Sequence, residues 1–279
     1  MRLIIHAGLH KTASTTFQRI CMRATNIFEK NRIFFPKYRN WENHSYAARL
    51  LQKQDFVGLK FFLSFCIDEA KKKNCDVVLI SGEDFENLFI DLNNALRFQE
   101  MAYSAGFSEI QWIAVKRELA DYVKSIYAEK CIYEVSLNIE NIINSAKEYG
   151  YSSLTTNRYN YFFVFDIRRF ETVFRKVVNS KLKIHDFIEF KRNYVGKVLL
   201  DELITNRKEH LQIMNLAEEI GVTKKRLSDR EVEFRYICSF LALKPTKETL
   251  EKNKDLFNSL INQRIIKKNA AISTLMPNN

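Results

Sequence analysis

The chain has 279 residues, 46% hydrophobic and 28% charged, ordinary proportions for a folded globular protein that exclude a disordered or collagen-like chain. Lys and Arg number 44 against 33 Asp and Glu, a formal net charge of +11 that favours anionic partners. No stripe of basic residues interleaved with aromatics marks a nucleic-acid face, however, and the clusters Lys71-Lys72-Lys73 and Lys224-Lys225-Arg226 read as solvated helix ends.

Only 7 Gly and 3 Pro accompany 22 Phe and 12 Tyr, which argues for long helices and an aromatic core over a turn-rich sandwich. The five cysteines (Cys21, Cys66, Cys75, Cys131, Cys238) form no CxxC pair and have no His at zinc spacing, so they read as reduced thiols and no metal is expected. The apolar run after Arg2 is too short for a signal peptide, and no stretch approaches the ~20 apolar residues of a membrane span. A cytoplasmic protein is the expectation.

In chain order, Arg2 to Ala7 reads as a buried strand that enters a turn at Gly8. A helix follows over 15–30, with Phe17, Ile20, Cys21, Ala24 and Phe28 on one face. Helical patterns near 44–53 and 56–72 lead to a second buried strand, DVVLIS (76–81). A helix near 92–105 precedes a third strand, EIQWIAVK (109–116), and helices fill 118–135 and 138–149. The stretch 158–178 has Phe162, Phe165, Phe170, Val173, Phe174 and Val177 spaced for one buried helical face, and KLKIHDF (181–187) alternates as a fourth strand. Beyond about 197 the pattern is helical and charged, down to a Lys-rich tail. Strands separated by helices imply parallel pairing through crossovers. The prediction is an α/β fold, a P-loop-like three-layer α/β/α arrangement on a central parallel sheet. It forms one domain over 1–279, with an additional helical C-terminal part.

The chemistry is concentrated in HAGLHKTASTTFQ, residues 6–18. A strand ends, Gly8 permits a tight turn, and Lys11 precedes a run of hydroxyls as the chain enters a helix. The first N–H groups of a helix have no intrahelical partners and attract an anion. Lys11 adds a charge, while Thr12, Ser14 and Thr15 add hydroxyl donors, so the loop suits a phosphate or a sulfate. A Walker A loop would need glycines at positions 5 and 10, which hold Ile5 and His10. The loop instead resembles the 5′-phosphosulfate loop of the sulfotransferase family, most like its bacterial and carbohydrate members, through His6, Gly8, Lys11, Thr12, Ser14, Thr15 and Gln18. Ala13 stands where that family has Gly, and Ala tolerates a left-handed backbone less well.

A second match lies in VKRELADYVKSIYAE (115–129). The family binds the 3′-phosphate of its donor with an Arg at the end of this strand and a Ser eight residues on, and Arg117 and Ser125 have that spacing. The resemblance implies 3′-phosphoadenosine 5′-phosphosulfate (PAPS) as donor and in-line transfer of its sulfuryl group, without metal, to an acceptor hydroxyl or amine, leaving adenosine 3′,5′-bisphosphate. Gly8, His10, Lys11, Thr12, Ala13, Ser14, Thr15, Arg117 and Ser125 would hold the donor, Lys11 also countering charge on the leaving phosphate.

Three residues compete to remove the acceptor proton. Glu83 in ISGEDF follows the second strand, where side chains enter the crevice at the carboxyl ends of parallel strands, and its context resembles that of the catalytic Glu of glycan-modifying members. It also reads as a favourable acid at a helix start. His44, after the FFP segment at 34–36, resembles a histidine of bacterial members and alternatively reads as a helix-start residue. His10 adjoins Lys11 and ranks last, as lining the donor site; His185 and His210 read as structural. The acceptor expectation is a saccharide or glycolipid, met by segments 36–60 and 130–160, with no nucleic acid. A metabolite kinase and a non-catalytic anion-binding module remain the alternatives.

Overall fold

The computed structural model describes residues 1–38, 43–133, 135, 137–155, 159–221 and 227–276. The Lys224-Lys225-Arg226 cluster and 277–279 lie outside the described residues. So do 39–42, 134, 136 and 156–158, within the segments expected to meet the acceptor. The chain divides into two compact units, Met1–Arg117 with Ser153–Thr223, and Glu118–Ser152 with Lys224–Asn279. The helical stretch expected beyond 197 therefore contributes to both.

The first unit is α/β. Its strands are β1 (Arg2–His6), β2 (Ile33–Phe34), β3 (Val77–Ser81), β4 (Glu109–Lys116), β5 (Tyr151–Thr155, shared at its start with the second unit), β6 (Asn160–Val164) and β7 (Lys181–Asp186). Five of them form a parallel sheet in the order β2-β3-β1-β4-β7, flanked by helices, while β5 and β6 make a separate two-stranded sheet. Strands buried on both faces read as unbroken apolar runs, which is why β1, β3 and β4 stand out in the sequence.

The central strand is β1, with Ile4 level with Leu79 of β3 and with Gln111 of β4. On one face Ile4, Leu79, Ile113 and Val115 pack with Phe17, Ile20 and Phe28 of the following helices and with Phe190, Leu200 and Ile213. On the other, Trp112 is fully buried against Phe174, Phe98 and Phe85, with ring centroids 5.3, 5.9 and 6.3 Å away. Alternate side chains along β4 thus serve opposite layers, as the pleat requires.

The helix expected over 15–30 is two, Ser14–Arg23 and Thr25–Lys30, broken at Ala24, yet all five predicted core residues are buried. Helices at Ser45–Gln52, Phe56–Lys72 and Leu92–Ala105 follow the expected spans, the last two capped by Asp55 and Asp91. One expectation is corrected. The stretch 158–178 is not one helix: β6 occupies Asn160–Val164, and the helix spans Ile167–Val178. The reason lies in the partners of β6. Its alternate N–H groups donate to side chains: Asn160 to Gln52 Oε1 at 3.1 Å, Phe162 to Asn87 Oδ1 at 2.9 Å, and Val164 to Glu86 Oε1. A period of two, satisfied from elsewhere in the fold, overrides the helical spacing of the phenylalanines.

The second unit is helical, with helices at Leu119–Ile132, Ile139–Tyr149, Asp229–Phe240, Lys247–Lys252 and Lys254–Ser273. A small apolar core of Ile237, Cys238, Phe257 and Ile261, with Leu250 packed against it, joins the last three. Beside it lies a buried ionic cluster. Glu233, fully buried, accepts from Tyr127 Oη and Arg264 Nε at 2.9 Å each, with Lys268 Nζ 3.2 Å from its other oxygen. Lys268, itself 2% exposed, also lies 3.2 Å from Asp229. No helix among the described residues is long and apolar enough to cross a membrane.

Candidate functional site

The residues singled out by the loop gather at the carboxyl ends of β1 and β3. The two strands run parallel with His6 level with Ser81, so the loop after β1 and the turn after β3 emerge side by side. This is where ligands enter open parallel sheets. The loop backbone is unusual: Gly8, Lys11 and Ala13 all have positive φ, at 35°, 61° and 65°. A Cβ on Gly8 would lie 2.5 Å from Ser14 Oγ and 2.8 Å from the His6 ring, so only glycine fits. Positive φ at 11 and 13, on either side of Thr12, is the kind of alternation that curls amide N–H groups into an anion-binding nest.

Thr12 and Ser14 shape this curl. The Thr12 hydroxyl faces Gly8 O at 2.5 Å and Leu9 O at 2.6 Å, and the Ser14 hydroxyl faces Gly8 O at 3.3 Å. Both hydroxyls thus brace the loop from within. Ala13 is the N-cap of the Ser14–Arg23 helix and makes no side-chain capping hydrogen bond. Thr15 is part-exposed in that first turn. Amides at a helix start form a positive, donor-rich surface. The left-handed Ala13 answers the question posed by its identity: the loop adopts the glycine-like conformation with an alanine in place. Such a residue costs about 1–2 kcal/mol, partly offset by glycine's greater freedom when unfolded. Ala13→Gly is therefore expected to raise unfolding stability by up to about 1 kcal/mol and Ala13→Val to lower it, measured by urea denaturation; equal midpoints for all three would refute the strain.

One residue of the second motif reaches this loop. The half-buried Arg117 donates from Nη1 to Lys11 O at 2.9 Å, and its guanidinium lies 5.0 Å from the centroid of Phe187. Arg117 thus stands beside the loop. Ser125 belongs to the second unit, on the Leu119–Ile132 helix, where its hydroxyl donates to Asp121 O one turn back at 2.8 Å.

Across from the loop, the turn after β3 carries four polar side chains. Gly82 allows this turn to pass against the main chain of His44 and Ser45, which a Cβ would strike at 2.6–2.9 Å. Glu83–Phe89 then forms a short 3-10 helix, so the expected acid at a helix start is in place. Glu83 Oε2 is 3.1 Å from His10 Nδ1. Buried Glu86 accepts from the His10 N–H at 2.6 Å with one oxygen and from Val164 N–H with the other, tying the loop to β6. Asp84 pairs with Arg49 at 2.6 Å, and Arg49 also lies 5.5 Å from the Tyr159 ring centroid. Tyr161 and Phe163 approach His10, with centroids 6.2 and 5.3 Å away.

His10 is thus more than a lining residue. Burial, the largest single influence, opposes its charge, but the Glu83 hydrogen bond and the charges of Glu86, Glu83 and Asp84 outweigh it and hold its pKa up at about 9. A folded-state value above the unfolded 6.5 makes His10 a source of stability fully present below pH 6.5 and lost as pH rises through about 9. Comparing wild type with His10→Gln by thermal unfolding should show a wild-type advantage at pH 6 that fades by pH ~10; a constant difference would count against a charged His10.

His44 stands at a helix start, as its alternative reading expects: it is the N-cap of Ser45–Gln52, and its ring is a brace. Its Nδ1 accepts from the Ser81 N–H at 2.9 Å, which makes Nε2 the protonated nitrogen, donating to Pro36 O at 2.9 Å. Burial pushes its pKa down to about 4. With both nitrogens on main-chain groups, the ring joins residue 36 to the end of β3 and offers no site for an acceptor proton. His6 is likewise neutral, its pKa lowered to about 3 chiefly by burial, and its Nδ1 lies 2.8 Å from Ser81 Oγ.

Sequence reasoning missed Glu86, Arg49 and the Tyr159–Phe163 aromatics. The EDFE run was visible, but the partners of its two glutamates lie more than 70 positions away in the chain. Among the described residues, no group of three or more His, Cys, Asp or Glu side chains has the arrangement to hold a metal ion. The chain matches no family model, no curated protein and no solved structure.

Proposed function

We propose that this protein is a PAPS-dependent sulfotransferase whose donor loop is Gly8–Thr15 and whose general base is Glu83. The observation that carries the reading is the 2.9 Å hydrogen bond from Arg117 to the carbonyl of Lys11. Arg117, one half of the pair that resembles the family's 3′-phosphate site, lies against the loop that resembles its 5′-phosphate site, 106 residues earlier in the chain. A glycine-like backbone at Ala13 and a helix start without a capping bond from its N-cap give the loop the amides an anion needs. On this reading the fold is P-loop-like in layout but not in loop chemistry, because Ile5 and His10 replace the Walker glycines.

The donor supplies an activated sulfuryl group on its 5′-phosphate. The residues of this chain do the rest. Lys11 and the first-turn amides stabilise charge on the 5′-phosphate oxygen as its bond to sulfur breaks and the acceptor oxygen takes its place. Glu83 removes the acceptor's proton, held in position by its contact with His10. Arg117 forks onto the 3′-phosphate, which a lysine could not do. The acceptor is a saccharide or glycolipid.

Thermal-shift titration tests the donor half. Adenosine 3′,5′-bisphosphate without metal is expected to raise the melting temperature in a saturable manner, and Lys11→Ala is expected to weaken that binding by about tenfold or more. Stabilisation by Mg-ATP in preference to the bisphosphate would point to the kinase alternative. No response to either nucleotide would leave a non-catalytic anion-binding module.

A further inference from the structure

The second unit carries a patch that neither its own core nor the donor loop explains. The Asp229–Phe240 helix runs out into Phe240-Leu241-Ala242-Leu243, four consecutive apolar residues that all face solvent, with Phe240 71%, Leu241 49% and Leu243 44% exposed. Apolar side chains scattered singly over a surface are ordinary, but an unbroken exposed run marks a site of interaction. The run is not a frayed end. Leu243 N–H donates to Cys238 O at 2.7 Å and Ala242 N–H to Ser239 O at 3.2 Å, the two bonds of a Schellman turn. Ala242 takes the left-handed position, φ 54°, that glycine usually fills.

The turn is anchored on both sides. Behind it, Ile237 and Cys238 belong to the small apolar core of this unit. Beyond it, the Thr249 hydroxyl donates to Lys244 O at 2.8 Å, and Thr246 caps the Lys247–Lys252 helix by accepting from Thr249 N–H at 3.1 Å. The Tyr236 ring, with Arg264 3.5 Å from its centroid, stacks parallel to Phe240 at 6.4 Å. A left-handed alanine and these hydrogen bonds thus hold an apolar tip out in water. The charge beside the tip has one sign. From Phe234 to Lys247 the chain holds Arg235, Lys244 and Lys247 and no acid. Lys244 and Lys247 are exposed, and the acids that follow, Glu248 and Glu251, face Lys252 and Lys254.

We infer that this tip is an anchor for an anionic membrane surface: Phe240, Leu241 and Leu243 enter the headgroup boundary, and Lys244 and Lys247 meet anionic lipid headgroups. A bilayer surface offers the matching order of chemistry, apolar chains under a layer of negative charge. The formal net charge of +11 adds attraction at longer range. Other occupants match the tip less well. A symmetric contact between two copies would set Lys244 and Lys247 against their own equivalents. A stable protein interface takes about 20–30 residues a side, far more than this run supplies, whereas a bilayer accepts a few side chains at a time. All of these residues belong to the second unit, so the anchor is independent of the donor-loop reading.

Flotation of the full chain with lipid vesicles tests the anchor. Phosphatidylcholine vesicles containing about 30% phosphatidylserine are expected to carry the protein, and pure phosphatidylcholine to carry about tenfold less. Phe240→Ser with Leu243→Ser should weaken binding about tenfold or more, and Lys244→Glu with Lys247→Glu by about the same factor. All four positions are exposed, so folding is not at stake, and unchanged urea midpoints check this. Phe240→Trp reads insertion directly, through a blue shift of its emission on adding the anionic vesicles. Lys11→Ala should float like the wild type. No flotation with anionic vesicles, equal flotation with both lipids, an unshifted emission, or binding that neither pair weakens would overturn the anchor. Loss with the lysine pair but not the apolar pair would mean adsorption by charge alone and overturn it too. Loss in Lys11→Ala would place a headgroup in the donor loop instead. Self-association abolished by the apolar pair, without vesicle binding, would assign the tip to a second copy of the chain.

Discussion

Glu83→Gln is expected to lower sulfuryl transfer by about 10²–10⁴-fold, the usual contribution of a positioned general base, while leaving bisphosphate binding intact. Glutamine keeps the size of glutamate and an oxygen that can still accept from His10 Nδ1, now 3.1 Å from Glu83 Oε2. What it loses is the capacity to take a proton. The measurement is transfer of labelled sulfate from PAPS to the best acceptor of a glycan panel, paired with the bisphosphate thermal shift. Full transfer by the glutamine variant would remove Glu83 from the chemistry. Loss of both transfer and bisphosphate binding would mean that the turn after β3 shapes the donor loop instead. His44→Ala separates the roles from the other side: cutting the bridge from Ser81 N–H to Pro36 O should reduce stability more than it alters the pH dependence of transfer.

The largest stability effect is expected far from that turn, at Glu233. This carboxylate is fully buried, with Arg264 Nε at 2.9 Å and Lys268 Nζ at 3.2 Å. Glu233→Ala would leave a buried Lys268 facing Asp229, and Arg264 with Tyr127 Oη at 3.0 Å and the Tyr236 ring, without the carboxylate that compensates both charges. Breaking one side of such a cluster costs about 3–5 kcal/mol, most of it the penalty of an uncompensated buried charge. Replacing the whole cluster, with Glu233→Met, Lys268→Met and Arg264→Leu together, should recover much of the loss for the same reason. Urea denaturation of the two variants decides the matter; a loss below about 1 kcal/mol for Glu233→Ala would show that water reaches the cluster.

What could be read from the chain before its structure depends on how local the cause is. The tight turn of the loop at 8–15 was legible because Gly8, Thr12 and Ser14 act through neighbours within a few residues. The parallel strands β1, β3 and β4 were legible as unbroken apolar runs. At 158–178, Phe162, Phe165, Phe170 and Phe174 satisfy a helical face, while Tyr159, Tyr161, Phe163 and Phe165 satisfy a strand. Gln52, Asn87 and Glu86 break that tie, and no window around β6 contains them. His44 was read both as a base and as a helix-start residue, and it stands at a helix start, as the N-cap of Ser45–Gln52. A histidine before a helix is either a base or a brace until one knows that Ser81 N–H and Pro36 O occupy its two nitrogens. The short strands β2 and β5 gave no pattern to detect. Nor does any glycine- or proline-rich linker mark the division after Arg117, which passes directly from a strand end into a helix.

The side-chain partners of β6 have one more consequence. Residues 159–165, YNYFFVF, are aromatic, uncharged and free of proline, the composition that favours stacking into fibrils. Such growth needs an open row of amides on a strand edge. In β6 one edge pairs with β5, and the N–H groups of Asn160, Phe162 and Val164 already donate to Gln52, Asn87 and Glu86. The same three side chains that shape the wall of the site therefore act as guards against self-association, and variants at Asn87 or Glu86 should be lost to aggregation before they are lost to inactivity.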